Sequence, residues 1–200
     1  MSEPIKRYHS GAILLHWLMA ILILGNLALG MLLEDIPIDQ KFQWYQLHKS
    51  LGMTVMVLAV LRIIWRFVHP APPLPSHMRA WEKGVAHITH FVLYVMMLLI
   101  PFTGWALVSS SPKKIPTVLY GLIELPHLPF FESLADDARK AVSHNIAETH
   151  ELLAYVLLVL VGAHVLAAIR HHWLIKDETI LRMSPKWAEG ILEKLRGKSA

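Results

Sequence analysis

IAETHELLAYVLLVLVGAHVLAAIRHHW, residues 146–173, decides how the rest of this chain reads. From Leu152 to Ile169 it carries no charge, and His164 is its only strongly polar side chain. His150 precedes that run, and His171 and His172 follow it. A segment this apolar is long enough to cross a bilayer as a helix, and an ionisable group inside one is by default functional. His150 and His164 lie fourteen residues apart. At about 100° per residue that spacing returns to one helix face, about 21 Å further along the axis. One helix thus offers two imidazoles to a bundle interior, one near each membrane surface, as two stacked metal centres require.

Composition narrows the class. The 200 residues are 54% hydrophobic, which excludes an ordinary soluble domain. There is no cysteine, so disulfides, iron–sulfur ligation and thioether-linked haem are excluded, and any haem is held non-covalently. The formal charge of +4 comes from basic residues flanking apolar runs; lipid headgroups account for it better than nucleic acid does. The thirteen histidines fall near the apolar runs rather than in one tract.

The expected spans are about 11–33, 47–68, 81–108 and 148–173. The first is too long for a signal-peptide core and no small-x-small cleavage site follows it, so it reads as a retained span. Residues 34–45 read as a short acidic connection, and the four prolines of HPAPPLPS, 69–76, exclude helix there. Pro101 predicts a kink in the third span. Residues 109–145 read as a long connection ending in a short surface helix over 135–147. The basic tail, 186–200, reads either as a frayed terminus or as a surface helix with Trp187, Ile191, Leu192 and Leu195 on one face. Residues 1–185 are then an all-α, up-down-up-down bundle of four transmembrane helices. Cytoplasmic termini put thirteen Lys and Arg residues at the inner face and six at the outer, which is the favoured orientation.

That topology sorts the histidines by depth. His16 and His164 form an inner pair, and His48 and His150 an outer pair. A flat macrocycle beside a histidine needs small neighbours one turn on, and these are Ala20, Gly52, Ala168 and Ala154. His87 and His90 are followed at that position by Phe91 and Tyr94 and fail the test. A lone membrane histidine is more often a packing residue; four matched in depth and space are read as iron ligands. Arg62 shares a face with His48, fourteen residues on, and reaches the inner depth. No span has an acidic residue in its core, so a haem propionate is its expected partner, with Arg66 as a second. His171 and His172 read as interfacial, and His9, His69, His77, His127 and His144 as solvated. Trp17, Trp65, Trp81 and Trp173 fit an interface belt, with Trp17 next to His16.

Several stretches carry a family likeness: LLHWL around His16, LHKSLGM around His48, GVAHITHFVLY in the third span, and THELLAY…GAHVLAAIRHHWLIKDETILRMSP in the fourth. Over roughly residues 8–185 the chain resembles the bacterial cytochrome b561 family. The resemblance implies two b haems with His16, His48, His150 and His164 as axial ligands. It also implies electron transfer in the bacterial inner membrane between a periplasmic surface and ubiquinone. On that footing the expected activity is superoxide oxidation outside, steered by Lys49, Lys113, Lys114, Arg139 and Lys140, with ubiquinone reduced near the inner end, where Arg62, His87, His90 and His171 give hydrogen bonds or protons to its carbonyls. The alternative is a cytochrome b relay subunit anchoring a hydrogenase or dehydrogenase, with a redox partner protein. A metal transporter would need carboxylates along its path, and the span cores have none.

Overall fold

The structure is a computed structural model that describes residues 5–197; residues 1–4 and 198–200, the end of the expected tail with Lys198, lie outside the described residues. Four long helices dominate: α1 Ser10–Leu32, α2 Ile38–Val68, α3 Ala80–Ser110 and α4 Asp136–Arg170. Each is long and apolar enough to cross a membrane. Local chemistry sets their starts. His9 accepts the Gly11 N–H through Nδ1 at 3.2 Å and so caps α1. Asp39 in the first turn of α2 and Asp136 and Asp137 in that of α4 meet the positive end of the helix dipole.

Two boundaries depart from expectation. α2 begins at Ile38 and absorbs most of the acidic connection, because no proline or glycine interrupts residues 38–46. α4 likewise absorbs the separate surface helix expected over 135–147, since no breaker stands between Ala135 and His150. Pro101 lies inside α3, which continues through it to Ser110.

The close helix contacts run α1 with α2, α2 with α3, and α3 with α4. Met19, Val55, Ala59 and Met97 form the buried core of the first three, with Leu22, Leu58 and Tyr94 around it. This apolar layer lies at a depth between the two histidine levels. Large apolar side chains such as Ile21, Phe67, Phe91 and Val159 face outward, the all-round hydrophobicity of a helix solvated by lipid.

Both ends are more built than a simple loop or tail. At the expected outer end, β1 (Thr117–Leu119) pairs antiparallel with β2 (Ile123–Leu125), turning through Tyr120 and Gly121 at φ 51° and 72°. Gln46 on α2 accepts the Val118 N–H at 3.0 Å and donates to the Pro116 carbonyl at 2.8 Å. Ser50 accepts the Tyr120 N–H at 2.9 Å. The hairpin is thereby stitched to α2 on either side of His48. At the other end, a π-helical turn (His171–Ile175) leads to α5 (Thr179–Met183) and α6 (Glu189–Leu195). A 3-10 turn (Lys186–Ala188) and α6 leave Trp187, Ile191 and Leu195 exposed, as a surface helix would. The tail is nevertheless docked: Arg7 donates to the Ser184 carbonyl at 2.8 Å and pairs with Glu189 at 2.6 Å. Arg196, only 5% exposed, donates to the Asp177 carbonyl at 2.9 Å.

Candidate functional site

Four histidines meet in two pairs across the gap between α4 and its non-adjacent neighbours. His16 on α1 faces His164 with ring centres 6.2 Å apart and planes at 70°. His48 on α2 faces His150 with ring centres 6.3 Å apart and planes at 82°. All four side chains are half-buried. The fourteen-residue spacing puts both α4 histidines on one face, and the alternation of helix direction brings a partner to each depth.

Two glycines that sequence reasoning overlooked make room for the outer pair. A Cβ on Gly30 of α1 would stand 3.0 Å from the His48 ring, and one on Gly104 of α3 would stand 3.1 Å from the His150 ring. Neither glycine lies on the helix of the histidine it faces. Glycines on other spans at the same depth were the available signal.

Around the inner pair, Arg62 donates through Nη2 to His16 Nδ1 at 3.1 Å and lies 5.7 Å over the Tyr94 ring. His90, set aside for lack of space, stands 5.4 Å from His164, its Nδ1 donating to the Ala86 carbonyl at 2.6 Å. Its neighbour Tyr94 does not fill the site, because that ring packs into the core. His87 is exposed and stays apart from the cluster. Arg66, also exposed, lies 5.8 Å over Tyr8.

Several peripheral assignments change. His172, expected at the interface, is fully buried, because the tail folds over it and the Leu192 carbonyl accepts from its Nε2 at 3.2 Å. His171 bonds Asp177 at 2.5 Å, and His77, expected to be free in solvent, reaches the same oxygen at 3.3 Å. Burial alone would raise the Asp177 pKa; hydrogen bonds from Thr179 and His171 outweigh it and hold the carboxyl below its usual value. His69 stacks on Trp65 with ring centres 4.5 Å apart, so it too is not simply solvated. Arg139 is 6% exposed, its guanidinium donating to the Phe131 carbonyl at 2.6 Å left free by a short 3-10 turn. Lys49 donates to the Pro116 carbonyl at 3.0 Å and Lys140 lies 3.7 Å from Asp137. Of the five expected steering cations, Lys113 and Lys114 remain exposed without such ties.

A family profile described as prokaryotic cytochrome b561 matches residues 7–186. The chain belongs to that family. This cytochrome b561 is 30% identical to the probable superoxide oxidase CybB of Yersinia pestis, over 90% of this chain and 97% of the relative. It is 32% identical to cytochrome b561 homolog 2 of Escherichia coli (strain K12), over 90% and 93%. A cytochrome b562 of Cereibacter sphaeroides is 26% identical over 86% and 90%. A cytochrome b561 is a membrane electron-transfer protein, and membership implies b-type haem. The residues fit such a group. Metal–imidazole bonds of about 2.0–2.1 Å, with about 1.1 Å from nitrogen to ring centre, separate two trans imidazoles by about 6.3 Å. Both pairs have that separation, whereas His90 and His164, at 5.4 Å, are too close.

Proposed function

We propose that this cytochrome b561 holds two b haems, the inner between His16 and His164 and the outer between His48 and His150, and uses them to oxidise superoxide and reduce ubiquinone. The carrying observation is the pair of facing imidazoles at each of two depths, each 6.2–6.3 Å apart between ring centres. Bound there, the haems supply one-electron transfer through the membrane interior. The protein's own groups do the rest. Two histidines would hold each haem, and electrons would then pass to and from it without superoxide or quinone binding the iron. Arg62 is the cation available to a propionate at the inner level, and Arg66 a second one nearer the surface. If His16 were to hold the group through Nε2, its ring proton would sit on Nδ1 and the Arg62 guanidinium would leave the bond it now donates there.

The Lys and Arg bias supports cytoplasmic termini and an inner-membrane location, with the hairpin periplasmic. On that side Lys113 and Lys114 attract the superoxide anion. Two superoxide ions each lose one electron and leave as dioxygen; ubiquinone takes those two electrons with two protons. His90 and His171 supply hydrogen bonds and protons near the inner haem level, each with Nδ1 already tied so that Nε2 is the free nitrogen. The name of the Yersinia pestis relative supports superoxide as donor.

Stopped-flow mixing of the purified protein with superoxide tests this reading. Rapid haem reduction, followed by reoxidation when ubiquinone is added, is the expected result. Haem that stays oxidised through the pulse rejects superoxide as the donor and leaves the relay role.

A further inference from the structure

We infer that Thr103 and Gly104, adjacent on α3, form a seat for His150: the Thr103 hydroxyl sets which ring nitrogen faces the gap, and Gly104 gives the ring room to turn there. The inference rests on the ligand role proposed for His150.

Hydrogen counting carries the first half. A threonine hydroxyl has one proton to give, and Thr103 is placed to give it to the Ile100 carbonyl at 2.8 Å. With the proton there, the same oxygen, 2.9 Å from His150 Nδ1, accepts. The ring proton is then on Nδ1, and Nε2 keeps a bare lone pair. A neutral imidazole binds metal through its unprotonated nitrogen, so this bond prepares His150 for ligation. The second half is steric. A Cβ at residue 104 would meet His150 Cε1 at 3.1 Å and Nδ1 at 3.6 Å, so the ring would have to give by a few tenths of an ångström at the edge where Thr103 holds it.

The other histidines are held differently. His48 Nδ1 is buried and has no hydrogen-bond partner among the described residues. His16 Nδ1 faces a guanidinium that can only donate. His150 is thus the one of these three whose Nδ1 meets a neutral side chain from a neighbouring helix at hydrogen-bond distance. An acceptor on the far nitrogen raises ligand basicity, which favours ferric over ferrous iron. Thr103 is therefore a positioning residue that lowers the potential of the outer haem and leaves the inner one alone.

Redox titration of the haem-loaded protein, following both haems by absorbance, tests this with Thr103→Val, which keeps the shape and removes the hydroxyl. One of the two midpoints should rise and the other stay, with about 10–100-fold weaker retention of the affected haem. A tenfold change in the ratio of oxidised-state to reduced-state affinity reads as about 59 mV. Thr103→Ser should restore the wild-type midpoint. Gly104→Ala should alter the low-spin EPR signal of the same haem. Unchanged midpoints and EPR in Thr103→Val, or a serine variant that behaves like valine, would overturn the inference. Retention of both haems by His150→Ala is a separate result: it would reject the ligand assignment itself.

Discussion

Trp17 donates its indole N–H to the carbonyl of Met183 at 2.8 Å, joining the residue after His16 to one 166 positions later. Trp17→Phe keeps the ring and removes the bond. About 1 kcal/mol of tail docking should be lost, seen as faster amide exchange over residues 177–197, while the outer haem keeps its spectrum.

The histidine pairs divide the haem content. If each pair holds one haem as proposed, His16→Ala or His164→Ala should remove the inner haem, and His48→Ala or His150→Ala the outer, each leaving about half of the b-type absorbance. His90→Phe should keep both, because the 5.4 Å between its ring centre and that of His164 is short of the 6.2–6.3 Å of the two facing pairs. Pyridine haemochrome assay checks all five.

Gly30→Ala puts a methyl 3.0 Å from His48 Cε1. Crowding of this kind costs about 1–3 kcal/mol, and here it falls on a ligand. The outer haem should be retained more weakly, with the inner haem unchanged, as read by haem loss to an acceptor protein.

The docked tail should loosen in acid. Asp177 has a folded pKa below the ordinary carboxyl value of 3.8, so its contribution is complete above that value and is lost as pH falls through the folded pKa. Asp177→Asn should remove the contribution at neutral pH and flatten the acid dependence. Limited proteolysis of the C-terminal segment between pH 3 and 7 reads both.

Lys113 and Lys114 are exposed cations of the hairpin side whose ammonium groups have no hydrogen bond or ion pair among the described residues. Reversing both to Glu should slow haem reduction by superoxide several-fold at low salt, within the roughly 10–1000-fold range of electrostatic steering. The difference should shrink as ionic strength rises, because screening shortens the reach of surface charge.

The four spans were legible because apolar runs bounded by prolines and charges announce themselves, and the family likeness because its histidine motifs are long. The grouping of His16 with His164 and His48 with His150 followed from depth alone, and those rings do face each other in space. What stayed hidden depends on contacts that leave no period in sequence. The hairpin has three-residue strands, and its one local sign was Tyr120-Gly121. The burial of His172 and Arg196 comes from side chains seeking distant carbonyls after the chain folds back. The merging of residues 136–147 into α4 was misjudged because polarity there looked like a separate surface element. Helix continuity depends on the absence of breakers, and polarity alone does not end a helix.

Since α4 is one unbroken helix from Asp136 to Arg170, it works as a ruler. The interval between its two imidazoles is counted in peptide units, so loop length, lipid thickness and the shape of either end leave it untouched. One residue inserted between them would keep the segment just as greasy and swing one ring by about 100°. Evolution can redecorate both mouths of this protein freely, but it cannot retune that interval by single insertions.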